Sequence, residues 1–129
     1  MTLMNTKDSK IASSKILSPN NRGLKWEYVY FIGIGGIGMS ALARYFSENG
    51  KQVAGYDKTS TKITNNLREI GVSIHFEDAV ENIPSQFLQK ETTVVVYTPA
   101  VPKAHSELSY FVSNNFTVMK RAEILGEIT

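Results

Sequence analysis

The sequence contains no cysteine, which excludes a disulfide framework, a thiolate metal site and a cysteine nucleophile. Histidine is almost as scarce, because His75 and His105 are the only 2 imidazoles in 129 residues. Paired carboxylates, a Ser-His-Asp arrangement and metal-spaced His/Asp clusters are also lacking. We therefore expect both histidines to be structural, and predict neither a catalytic residue nor a metal ligand in this chain.

Long apolar runs are lacking too. No segment approaches the roughly 18 residues of a membrane span, and no apolar stretch marks a secretory signal. The 14 basic and 12 acidic residues are scattered, with no basic run that would attract nucleic acid. The G-x-x-x-x-G-K-[ST] loop that cradles ATP phosphates is absent from the sequence. These features predict a cytoplasmic chain that binds neither membrane nor nucleic acid and has no such ATP site.

The order of apolar segments predicts one folded domain behind a polar leader. Residues 1–25 lack periodicity and are expected to be flexible, whereas residues 26–129 alternate apolar runs with amphipathic ones. Thr59 or Ser60 is expected to cap the second helix. The alternation predicts a Rossmann-like, three-layer α/β fold whose parallel sheet has about five strands. The predicted strands are 28–33, 52–57, 72–76, 92–98 and 116–120.

A glycine-rich loop follows the first predicted strand. Gly33, Gly35 and Gly38 have the G-x-G-x-x-G spacing, in which the first glycine allows a tight turn and the second a close phosphate. The third allows the helix to pack closely on the strand, and Gly36 removes one more side chain. Free N–H groups at the helix start favour a diphosphate. We expect the backbone to hold it without a nearby Lys or Arg.

Two other segments are predicted to face the same crevice. Asp57 ends the second strand, where its carboxylate can accept hydrogen bonds from ribose hydroxyls. The sequence YTPAVP, residues 97–102, forms a stiff loop after the fourth strand that can lie against a base or ribose. These features indicate a nucleotide diphosphate, and they do not distinguish NAD from a UDP-linked sugar.

The segment FIGIGGIGMSALARYF resembles the opening signature of the Mur ligase family, in particular its UDP-N-acetylmuramate–L-alanine ligases. These ATP-dependent ligases add amino acids to the peptidoglycan precursor. The Met39-Ser40 pair is the informative part, because an NAD-binding loop does not require it. The segments VAGYDKTS, VVVYTPAVP and RAEILGEI resemble three further family motifs in the same order. The resemblance implies an N-terminal substrate-binding domain, with no cofactor of its own, beside a central ATPase domain that uses ATP and Mg²⁺.

The resemblance also implies the site. UDP-N-acetylmuramate is the expected ligand, with Asp57 facing its ribose or uracil. The diphosphate is expected at Gly35, Gly36, Ile37, Gly38, Met39 and Ser40, and the opposite wall at Thr98, Pro99, Ala100 and Val101.

One departure and several alternatives stay open. Family members often have an Asn-His or Gly-His pair after strand three, where this chain has Glu77-Asp78, so an imidazole contact to the nucleotide is not predicted. The alternatives are an NAD(P)-binding oxidoreductase domain, a nucleotide-sensing regulatory domain, and the related ligase that recycles the murein tripeptide.

Overall fold

The computed structural model describes residues 25–128, so the predicted leader, apart from Lys25, lies outside the described residues. One five-stranded sheet has the order β3-β2-β1-β4-β5, and each neighbouring pair is parallel. The predicted fold class is confirmed, and all carboxyl ends of the strands lie at one edge of the sheet. The strands are β1 (Tyr28–Ile32), β2 (Gln52–Tyr56), β3 (Ser73–His75), β4 (Thr93–Tyr97) and β5 (Thr117–Lys120).

Helices connect the strands, and one of them begins later than predicted. The N-cap of the second helix is Thr61, whose hydroxyl accepts from the Thr64 N–H at 3.3 Å. The Thr64 hydroxyl in turn accepts from the Thr61 N–H at 2.8 Å. This reciprocal capping box explains why the cap is neither Thr59 nor Ser60. The helices are α1 (Ile37–Glu48), α2 (Lys62–Glu69), α3 (Ser106–Ser113) and α4 (Arg121–Glu127), with 3-10 turns at Val80–Asn82 and Ser85–Leu88.

The central strand β1 separates two apolar cores. Val29 and Phe31 pack in the core that contains residues of α1, α2 and α4. Tyr30 and Ile32 point the other way, into the core formed with α3 and the 3-10 turns. Strands buried on both faces are typical of parallel sheets. Both helical layers therefore hold the sheet, and the loops at its carboxyl edge are positioned from two sides. Within residues 25–128, no helix is long and apolar enough to cross a membrane.

Candidate functional site

A cavity of about 660 Å³ opens at the carboxyl edge of the sheet. It is lined by parts of the glycine loop, the end of β2, the loops after β3 and β4, and the residue before α3. The structure brings together six of the predicted site residues there: Gly36, Met39, Asp57, Thr98, Ala100 and Val101. The other predicted residues do not line it: Gly35, Ile37, Gly38, Ser40 and Pro99.

The first glycine of the loop makes the turn that the spacing predicts. Gly33 has φ +92°, a left-handed conformation that favours glycine, and a Cβ atom there would lie 2.4 Å from Cγ2 of Thr98. Its N–H donates to the Tyr56 carbonyl at 2.8 Å. The loop thus leaves β1 across the end of β2, which brings α1 to the cavity.

The N-terminus of α1 has no side-chain cap. Gly36 is its N-cap, no acidic residue stands in its first turn, and the N–H groups of Ile37, Gly38 and Met39 donate to no acceptor within residues 25–128. The Ser40 hydroxyl donates to the Ile37 carbonyl at 3.0 Å, so it is engaged with its own helix. Unpaired N–H groups and the positive end of the helix dipole make this end an anion-binding position.

The Asp57 carboxylate accepts a hydrogen bond from the glycine loop. One carboxylate oxygen accepts from the Gly35 N–H at 2.7 Å, and the other accepts from the Thr59 N–H at 3.1 Å. A Cβ atom on Gly35 would lie 2.8 Å from Oδ2 of Asp57, so a side chain at this position would displace the carboxylate. Each oxygen keeps a second lone pair, and the predicted contact of Asp57 with ribose stays a prediction.

The expectation that no cation would lie near the loop is wrong. A Cβ atom on Gly38 would lie 2.7 Å from Nε of Arg121, so the guanidinium of an arginine of α4 lies directly against the third glycine. Arg121 is exposed and has no ion-pair partner among the described residues. Lys58 lines the cavity itself. Arg121 directly follows β5 and begins the RAEIL segment, and it reaches the loop because β5 pairs with β4.

The N-terminus of α3, by contrast, is fully capped. Asp78 accepts from the Ser106 N–H at 2.7 Å and from the Glu107 N–H at 3.0 Å. Nδ1 of His105, the N-cap, accepts from the Leu108 N–H at 3.4 Å. Asp78 and His105 also line the cavity, although neither was predicted there. The residue that replaces the family's histidine therefore has a capping role in this chain.

A buried network ties this helix to the sheet. Glu107 is fully buried; its carboxylate accepts from the Tyr30 hydroxyl at 2.6 Å and from the Ala79 N–H at 3.1 Å. Nε2 of His75 lies 2.6 Å from the same carboxylate, so His75 belongs to this network. Burial, followed by the nearby Glu107 carboxylate, raises the pKa of Tyr30. The phenol is therefore neutral and acts as a donor.

Tyr56 lies between the two helix ends and lines the cavity. Its ring meets the His105 ring edge-on, with 4.7 Å between the ring centroids. Burial raises the pKa of Tyr56, and the carboxylates of Asp78 and Asp57 raise it further. The phenol is neutral at physiological pH, so this wall of the cavity is uncharged between two carboxylates.

Comparisons with known proteins identify the family of this chain. The family model described as Mur ligase family, catalytic domain, matches residues 28–129. A UDP-N-acetylmuramate–L-alanine ligase of Flavobacterium johnsoniae is 59% identical over 103 residues, which cover 80% of this chain and 23% of the relative. The crystal structure of the UDP-N-acetylmuramate-alanine ligase MurC of Thermotoga maritima is 30% identical, with a TM-score of 0.65, over 76% of this chain and 21% of that one.

A more distant structure shares the fold alone. The UDP-N-acetylmuramate:L-alanyl-gamma-D-glutamyl-meso-diaminopimelate ligase of Neisseria meningitides is 19% identical, with a TM-score of 0.66, over 79% of this chain and 31% of that chain. This chain spans less than a quarter of the length of the alanine ligases, 23% of the one from Flavobacterium johnsoniae. The matched range contains the glycine loop, the loop after β4 and the start of α4. The chain therefore belongs to the Mur ligase family, as an N-terminal domain of the MurC type.

Proposed function

We propose that the chain binds the UDP moiety of UDP-N-acetylmuramate in the cytoplasm, as the substrate-anchoring domain of an ATP-dependent ligase that adds L-alanine. The observation that carries this proposal is the uncapped N-terminus of α1 beside a cavity of about 660 Å³: its first three N–H groups have no acceptor within residues 25–128. The names of the relatives supply the chemistry of the ligand, since the alanine ligases are named for UDP-N-acetylmuramate.

In the proposed complex the diphosphate lies at the start of α1. The N–H groups of Ile37, Gly38 and Met39 donate to its oxygens, and the Arg121 guanidinium adds a positive charge beside Gly38. The free lone pairs of Asp57 accept from the ribose hydroxyls. The loop after β4 forms the opposite wall, at Thr98, Ala100 and Val101.

The contribution of this domain to catalysis is positional. Binding energy from the UDP group, which does not react, holds the muramyl carboxylate toward the site where it is activated. ATP and Mg²⁺ do not fit the residues present here. The sequence has no P-loop, and residues 25–128 contain no group of three or more His, Cys, Asp or Glu side chains that could hold a metal ion. We therefore assign both to the central ATPase domain of a longer polypeptide, the partner of this domain.

A thermal-shift titration with UDP-N-acetylmuramate, UDP, NADH and ATP tests the proposal. A ligand at about 100 times its Kd adds about 2.7 kcal/mol to the free energy of unfolding, which raises the midpoint by several degrees. We expect both UDP compounds to raise the midpoint, and NADH and ATP to leave it unchanged. A shift with NADH alone would favour the oxidoreductase alternative, and no shift with either UDP compound would contradict the proposal.

A further inference from the structure

One side chain at the cavity has an unexplained polar atom. His105 is only 8% exposed, and its Nε2 atom has no hydrogen-bond partner within the described part of the chain. Buried nitrogens without a partner are rare, because each loses its hydration without a replacement. His105 also lines the cavity. The geometry therefore raises the question of which group pairs with this nitrogen.

The hydrogen bond at Nδ1, the other ring nitrogen of His105, indicates which nitrogen carries the proton. Nδ1 accepts from the Leu108 N–H at 3.4 Å, so the neutral ring carries its hydrogen on Nε2. Asp78 Oδ1 lies 3.2 Å from Nδ1, so it can pair only with a ring protonated on both nitrogens, in which Nε2 carries a hydrogen as well. In both protonation states Nε2–H is a donor, and it requires an acceptor such as a carbonyl oxygen.

The surroundings favour a neutral acceptor. Asp78 occupies the N-terminus of α3, so this end of the cavity offers no free N–H groups to an anion. The Tyr56 ring lies edge-on against His105 and provides an aromatic surface. A flat, uncharged ring with a carbonyl group at its edge fits these neighbours better than a phosphate does.

We propose that His105 determines base specificity by donating its Nε2–H to the C4 carbonyl oxygen of uracil. The inference rests on the proposed function, which orders the nucleotide from the diphosphate at α1, through the ribose at Asp57, to the base at α3. The C4 carbonyl lies on the side of uracil away from the sugar. Because Nε2 is buried, this contact requires the partly buried Tyr56 ring, which lies against His105, to move as the base enters.

The test compares UDP with CDP, in which an amino group replaces the C4 carbonyl. Wild type is expected to bind UDP about tenfold more tightly than CDP by calorimetry, since a hydrogen bond of this kind is lost with cytosine. In His105→Ser the ratio of the two Kd values is expected to fall close to one. Serine is a strong N-cap, so α3 keeps its cap in this variant. Ser106→Ala, next in sequence and outside the cavity, is the matched control that keeps the wild-type ratio.

A second measurement does not depend on a variant. The chain has only 2 histidines, so the ring Nε2–H of His105 can be assigned by ¹⁵N NMR. UDP is expected to shift this resonance and CDP to leave it nearly unchanged. If UDP binds while the resonance stays unmoved and His105→Ser keeps the preference for UDP, the inference is overturned and the Tyr56 ring face is the partner of Nε2–H. If neither nucleotide binds to wild type at millimolar concentration, the proposed function fails as well.

Discussion

Two helices, α1 and α3, begin at the carboxyl edge of the sheet on either side of the cavity. Their N-termini differ in whether the first N–H groups have acceptors. In α3 the first three N–H groups donate to side chains of the protein, two to Asp78 and one to His105. In α1 the corresponding groups of Ile37, Gly38 and Met39 have no acceptor within residues 25–128. A single cavity therefore has one satisfied and one unsatisfied helix end.

The difference originates in two residues. Gly36 has no side chain and cannot cap α1, whereas Asp78 reaches α3 from the loop after β3 and neutralises the positive end of its dipole. An anion is stabilised only at α1, and a neutral group is tolerated at α3. The α1 end of the cavity thus suits the charged diphosphate of a nucleoside diphosphate, and the α3 end suits its uncharged base.

The largest expected effect concerns the satisfied end. Glu107→Ala removes the buried acceptor shared by Tyr30, His75 and the Ala79 N–H. The Ala79 N–H is then unpaired, and Tyr30 and His75 keep only the 3.2 Å contact with each other. We expect the free energy of unfolding to fall by about 3 kcal/mol or more, measured by urea denaturation. Glu127→Ala, at an exposed position of α4, is the control and should change it by less than about 0.5 kcal/mol. If Glu107→Ala loses no more free energy of unfolding than Glu127→Ala does, the network does not stabilise the fold.

The second-largest effect is expected on ligand binding, from a change at Gly36, the N-cap of α1. A Cβ atom there meets only ordinary contacts, 3.8 Å to the Gly33 carbonyl oxygen and 3.9 Å to Met39 Cγ. The backbone, at φ −66° and ψ 154°, suits a capping side chain. Gly36→Asp should therefore stabilise the fold by a few tenths of a kcal/mol while its carboxylate repels the diphosphate.

Calorimetry with UDP measures this repulsion. We expect a loss of about 2 kcal/mol in binding, which corresponds to about 30-fold in Kd. Gly36→Asn is the matched control, because it adds the same cap without the charge and should lose much less affinity. Similar losses in the two variants would mean that the cap itself, and not the charge, competes with the ligand.

The sequence predicted the uncapped N-terminus of α1 much better than the capped N-terminus of α3. Periodicity located β1, the glycine loop and α1, because each depends on residues close together in the chain. The spacing also predicted the turn at Gly33, which its positive φ explains. Family membership, inferred from the motifs in the same segments, is confirmed by the comparisons.

Contacts between distant segments could not be predicted in this way. Arg121 reaches Gly38 only because β5 pairs with β4, and Asp78 reaches Ser106 only because the loop after β3 folds over the start of α3. The spacing of residues along a chain does not contain these distances. For the same reason the spacing does not predict that the Gly35 N–H donates to Asp57.

A smaller effect tests the capping role of Asp78. Asp78→Ala should lower the free energy of unfolding by about 1 to 2 kcal/mol, since two first-turn N–H groups of α3 lose their acceptor. Asp78→Asn keeps one acceptor oxygen and should lose less. Urea denaturation of the three proteins gives the order, and a variant as stable as wild type would show that water replaces the carboxylate without cost.

The smallest effect is expected at Arg121. Its side chain is exposed beside Gly38, so its charge is screened by solvent and salt. Arg121→Gln should weaken UDP binding by about threefold at low salt, and Arg121→Lys, which keeps the charge, by less. The sharper readout is the salt dependence of Kd, because the affinity of wild type should fall more steeply with salt than that of Arg121→Gln. Parallel salt dependence in these two proteins would mean that the N–H groups of α1 hold the diphosphate without the guanidinium, as the sequence alone predicted.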